Sequence, residues 1–101
     1  MASILEFHPD AVDEARVARE WYADRSESAS FGFVAELDRV VAAIAEAPSR
    51  CSTYLHGTRR CLFRRYPFFV VYRVQGEIIQ VIAVAHGRRR PGYWRERQPP
   101  G

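Results

Sequence analysis

The chain has 101 residues, of which 48% are hydrophobic, 13% aromatic and 27% charged, enough apolar content for one packed domain and too little length for two. That balance excludes a disordered tail, a collagen-like repeat and a peptide held by a disulfide framework, and no apolar run approaches the roughly 20 residues of a membrane-spanning helix. All 15 basic residues are arginine, and they are unevenly placed: residues 1–50 hold ten acids against five arginines, residues 51–101 two acids against ten.

The opening Met1-Ala2-Ser3-Ile4-Leu5-Glu6 has neither a basic patch nor a long apolar stretch, so it is not expected to be a secretory signal. Residues 3–8 read as a short strand. Pro9 ends it and suits the first turn of a helix, with Asp10, Asp13 and Glu14 at the helix's positive end. Ala11, Ala15, Ala18 and Tyr22 share one face of that helix, flanked by Trp21, and the small residues suit close packing on another helix. The break at residues 24–28 supplies N-caps for a second helix, whose stripe Phe33, Leu37, Val40 and Ile44 ends before Pro48. Two such helices with a short link form a hairpin.

After Pro48 the period changes. Cys51 and Cys61 lie ten apart with no CxxC spacing and no Cys/His cluster, so no metal is expected. The spacing leaves a single disulfide open, and two reduced cytoplasmic thiols are the expectation. Residues 58–65 predict one strand, Phe68 to Val74 a second and Ile78 to Ala85 a third, the last two joined by the tight turn Gln75-Gly76-Glu77. The order is β-α-α-β-β-β, an α+β domain with a helical hairpin on a mostly antiparallel sheet. It spans residues 1–97 as one domain, with 98–101 as a flexible tail.

A domain polarised this way attracts phosphates or an acidic partner. A GC-rich genome explains absent lysine but not the opposite signs of the two halves. His8 and His56 read as structural, in a helix cap and a turn. His86 ends an apolar strand and enters an arginine run, where working side chains are common. Arg88, Arg89 and Arg90 with Tyr93 and Trp94 suit nucleic acid, with guanidiniums on phosphates and rings under bases, and suit a protein interface equally well. The alternative is that Tyr93 and Trp94 fold back to close the core. Arg59-Arg60 and Arg64-Arg65 extend the cationic set, although strand alternation sends one residue of each pair to each side. No phosphate loop or cofactor motif is present; Gly57 and Gly76 are turn glycines.

Gly57-Thr58-Arg59-Arg60, the run Tyr66-Pro67-Phe68-Phe69-Val70-Val71-Tyr72-Arg73-Val74, the segment Ala83-Val84-Ala85-His86-Gly87-Arg88-Arg89 and Pro91-Gly92-Tyr93-Trp94 together resemble the RelE/ParE superfamily of bacterial toxins over nearly the whole chain. The resemblance implies a cytoplasmic growth-inhibiting toxin encoded beside an antitoxin, whose extended segment wraps and silences it. One branch cleaves ribosome-bound mRNA. For that branch the resemblance implies His86 as acid or base, Tyr93 at the position of a catalytic tyrosine and Arg88 or Arg89 as a phosphate clamp. Phe69 stands where those ribonucleases commonly carry an arginine, and only Arg50 follows the second helix before Arg59. The other branch poisons DNA gyrase without cutting RNA, and the Arg59-Arg60 strand start with its phenylalanine-rich successor is more similar to it. That reading would place Arg59, Arg60, Arg65, Arg88, Arg89, Arg90 and Trp94 on the target. An inert relative that retains antitoxin binding is the third reading. No cofactor is implied.

Overall fold

The computed structural model describes residues 4–97; the expected tail at 98–101 lies outside the described residues. The elements run β1 (Ile4–Phe7), α1 (Pro9–Ala23), α2 (Glu27–Glu46), β2 (Ser52–Thr53), a 3-10 turn (Leu55–Gly57), β3 (Arg59–Leu62), β4 (Phe68–Gln75) and β5 (Ile78–His86). His8 is the N-cap of α1, its Nδ1 accepting the Asp10 N–H at 3.0 Å, with Pro9 next to it where no amide proton is needed. Ser26 caps α2 through the Ala29 N–H at 3.2 Å, and α2 ends as Ala47 leaves helical geometry ahead of Pro48.

The two helices cover one face of a five-stranded sheet of order β1-β5-β4-β3-β2. β1 runs parallel to β5, with the helical hairpin and three further strands between them in sequence, and the other neighbours are antiparallel. Gly76 and Glu77 form the two-residue turn between β4 and β5, with Gly76 at φ +61°. The helix-side core joins Ala11, Ala18, Phe33, Val40 and Ile44 to Val70, Tyr72, Ile79, Val81 and Val84. Gly32, inside α2, gives the Tyr66 ring room to approach; its hydroxyl donates to Ala29 O at 2.8 Å.

Two features depart from the sequence reading. β2 is an added short strand, and its antiparallel register sets Ser52 opposite Arg60 and Thr53 opposite Arg59. That register continues to Cys51 opposite Cys61. The two are disulfide-bonded, with Cα atoms 5.4 Å apart, where separate reduced thiols were expected. The physical reason is the fold-back of the α2–β3 link along β3, which Arg59 secures by donating to Ser49 O at 3.2 Å and Cys51 O at 2.6 Å.

The second departure is a bulge. Along β4 the alternation is regular, Phe68, Val70 and Tyr72 facing the helices and Phe69 and Val71 the far side. β5 pairs Ala83 with Val71 and then Val81 with Tyr72, passing over Ile82. Ile82 and Ala83 consequently both join the far-side core, and Val84 returns to the helix side. His86, opposite Phe68 with ring centroids 5.0 Å apart, faces the helix side too. Without the extra residue it would face the other way.

Candidate functional site

The far face of the sheet is covered by the chain's own C-terminal segment. Trp94 is 1% exposed and packs on Val71, Ile82, Ala83 and Ala85, with Tyr54 at 5.9 Å and His56 edge-on at 6.0 Å. Gly92, at φ +79°, lies against the His56 ring, where a side chain would crowd Nε2. Trp94 therefore closes a core in this structure and presents no ring to a target. Burying it contributes on the order of 3 kcal/mol.

β1 leaves β5 after Phe7 pairs with Val81, where His8 N–H donates to Val81 O at 2.8 Å. Beyond that point the β5 edge is completed by side chains. Arg97 Nη1 donates to Ile82 O at 3.0 Å, and Val84 N–H donates to Glu14 Oε1 at 3.0 Å. The same carboxylate accepts from Arg97 Nη1 at 2.9 Å and Nη2 at 2.8 Å, and from the Tyr93 hydroxyl at 2.6 Å. Both members of the ion pair are largely shielded, with side chains 15% and 14% exposed, and Asp10 adds a longer contact to Arg97 Nε at 3.7 Å. Burial, then the bond to Glu14 and its negative charge, push the Tyr93 hydroxyl far above the ordinary tyrosine range.

Between this anchor and the end of β5 lies the arginine loop. Its start is tied by Gly87 N–H to Pro67 O at 2.8 Å, which brings it beside the β3–β4 turn carrying Arg64 and Arg65. Arg88, Arg89, Arg90 and Arg65 are exposed. Arg89 lies over the Tyr93 ring at 3.8 Å and, with His86, forms one end of an open, mainly apolar groove of about 560 Å³ that continues over Phe68, Val84 and Trp21 of α1. His86 Nδ1 accepts the Arg88 N–H at 3.0 Å, which assigns the ring proton of the neutral form to Nε2.

The predicted residues thus fall into separate groups. Arg88, Arg89 and Arg90 lie on the loop after β5, whose start is bonded to Pro67 in the turn that carries Arg65, and His86 lines the groove with Arg89. Arg60 is on the far face, its guanidinium over Tyr54 at 4.3 Å and Phe69 at 5.2 Å. Arg59 turns inward to backbone carbonyls. Phe69 and His86 open on opposite faces. The residue that sequence reasoning missed is Glu14. As one of several acids in the first turns of α1 it reads as a helix-dipole partner, and its contacts with Tyr93 and Arg97 span 79 and 83 residues. Among the described residues no cluster of three or more potential metal ligands occurs, and no helix is long and apolar enough to cross a membrane.

Comparison with known proteins agrees with this architecture. A chain of the chromosomal ParDE toxin–antitoxin system from P. aeruginosa is similar in fold, with a TM-score of 0.74 at 17% identity over 84% of this chain and 96% of that one. A free-state form of the E. coli toxin RelE with two arginines replaced aligns with a TM-score of 0.59 at 18% identity, over 87% of this chain and 86% of that one. No curated protein sequence gives a significant match. The profile of the ParE toxin of the type II toxin–antitoxin system parDE matches residues 5–91. With that match spanning strands, helices and the arginine loop, the chain belongs to the ParE toxin family of type II toxin–antitoxin systems.

Proposed function

We propose that this toxin acts by binding, through the loop Arg88–Arg90 with Arg65 beside it, to an anionic surface of DNA gyrase or its DNA in the cytoplasm, and does not cleave RNA. The observation that carries the reading is the engagement of Tyr93. Its hydroxyl donates to Glu14 at 2.6 Å, and a phenol so held and so hard to ionise is a poor proton-transfer group. The separation of His86 from the Phe69 position by the thickness of the sheet supports the same conclusion. Fixed guanidiniums remain charged at any cellular pH and need no proton transfer to bind phosphate.

The antitoxin partner belongs to the family's two-component organisation. The groove between α1 and the ends of β4 and β5 suits an antitoxin segment with apolar residues for Trp21, Phe68 and Val84 and acids for Arg89 and the arginines beside it. Such a segment masks the arginine loop where it stands.

The second reading, a ribosome-dependent mRNA endoribonuclease, is favoured by one observation: His86 borders the open groove next to Arg89. Induction without antitoxin separates the readings. Binding to gyrase predicts growth arrest with a DNA-damage response, altered plasmid supercoiling and intact mRNA. Codon-position cuts in translated mRNA, lost in His86→Ala, would establish the ribonuclease instead. Undisturbed division would overturn both readings and point to an inert relative.

A further inference from the structure

We propose that Glu14 of α1 is a positioning residue for toxicity: it holds the Arg88–Arg90 loop in its working conformation through Tyr93 and Arg97. This rests on the reading of that loop as the target-binding element.

The loop needs an external anchor. Its backbone bonds are local, Arg88 N–H to His86 Nδ1 at 3.0 Å, Arg89 N–H to His86 O at 3.0 Å and Tyr93 N–H to Arg90 O at 3.1 Å. Three consecutive guanidiniums, with Arg64 and Arg65 on the adjoining turn, repel one another and favour spreading. One end is fixed by the Gly87–Pro67 bond. The other end is fixed at Tyr93 and Arg97, and both converge on Glu14. The link reaches the arginines themselves, because the Tyr93 ring held by Glu14 is the surface on which Arg89 lies, 3.8 Å away. An acid in the negatively charged half of the sequence thus sets the orientation of a cation in the positive half.

Glu14→Gln isolates this role. The amide oxygen still accepts the Val84 N–H and so caps the β5 edge, but the side chain loses its charge and one of its two acceptor oxygens. Three readouts are taken together: growth arrest on induction, the melting transition, and the chemical shift of the Arg89 δ-protons, which the Tyr93 ring current displaces. The expected result is a folded protein with Trp94 still buried, Arg89 δ-protons shifted to the position of an exposed arginine, and loss of growth arrest matching that of the triple variant Arg88→Ala, Arg89→Ala, Arg90→Ala. An unmoved Arg89 signal, or full growth arrest by Glu14→Gln, overturns the proposal while the triple variant stays harmless. Growth arrest by the triple variant refutes the loop reading and removes the basis of the proposal. If Glu14→Gln does not fold, Tyr93→Phe, which removes only the hydroxyl, carries the same two expectations for Arg89 and for growth.

Discussion

The hydroxyl of Tyr93 donates to Glu14 at 2.6 Å across 79 residues of sequence, and this bond joins the last turn segment to the first helix. Its pH consequence has a definite sign. Tyr93 is raised above the ordinary tyrosine value of about 10 by burial first and by Glu14 second. Its contribution to stability is therefore complete below that value and is lost as pH rises, because the unfolded chain releases the proton first. Tyr22 and Tyr72, also raised mainly by burial, act in the same direction. The melting temperature should fall steeply above about pH 10, and less steeply in Tyr93→Phe, as a calorimetric pH series will measure.

The two tryptophans should be distinguishable by fluorescence. Trp94 is 1% exposed and Trp21 50% exposed, so iodide should quench one emission component and spare the blue-shifted one. Trp21→Phe should remove the quenchable component. Trp94→Ala should destabilise the fold by about 3–5 kcal/mol, the usual effect of emptying a buried aromatic site, measured by urea unfolding.

Gly32→Ala tests the approach of Tyr66 to α2. A methyl group there meets the Tyr66 hydroxyl, which would have to leave Ala29 O. Alanine normally stabilises a helix interior by about 1 kcal/mol over glycine. Here an overpacking cost of about 1–3 kcal/mol should outweigh that gain, giving a net loss of up to about 2 kcal/mol in denaturant unfolding.

Glu36 ties α2 to the β3–β4 turn by accepting the Arg64 N–H at 2.9 Å and Arg39 Nε at 2.7 Å. The Arg39 bond holds its carboxyl below the ordinary carboxylate range. A depressed acid stabilises above its unfolded value, and that gain disappears as pH falls through its folded one. Glu36→Gln should lower the melting temperature at pH 7 and flatten the acid limb of the stability profile relative to the parent chain.

The helices and the β4–β5 hairpin were legible because each rests on local signals: Pro9 at a helix start, Pro48 beyond a helix end, apolar stripes of helical period and Gly76 in a two-residue turn. What stayed hidden depends on contacts between distant residues. The bulge at Ile82 interrupts an unbroken apolar run, so no change of residue type marks it, yet it decides which face His86 occupies. The Cys51–Cys61 pairing follows from the β2–β3 register, and β2 has only two residues to announce it. Trp94 carried both readings in the sequence, interface ring and core ring, and the cluster with Val71, Ile82 and Ala85 selects the core. The arginines split as strand alternation requires, Arg59 inward and Arg60 to the far face.

In the proposed reading the arginine loop delivers the toxic effect while Glu14, through Tyr93 and Arg97, holds it in place. Its most direct measurement is growth after inducing, without antitoxin, the triple variant Arg88→Ala, Arg89→Ala, Arg90→Ala, compared with the parent chain at equal soluble levels and with the melting transition checked. All three side chains are exposed, so folding should be unaffected. Normal growth with the variant and arrest with the parent are expected; arrest by both overturns the reading.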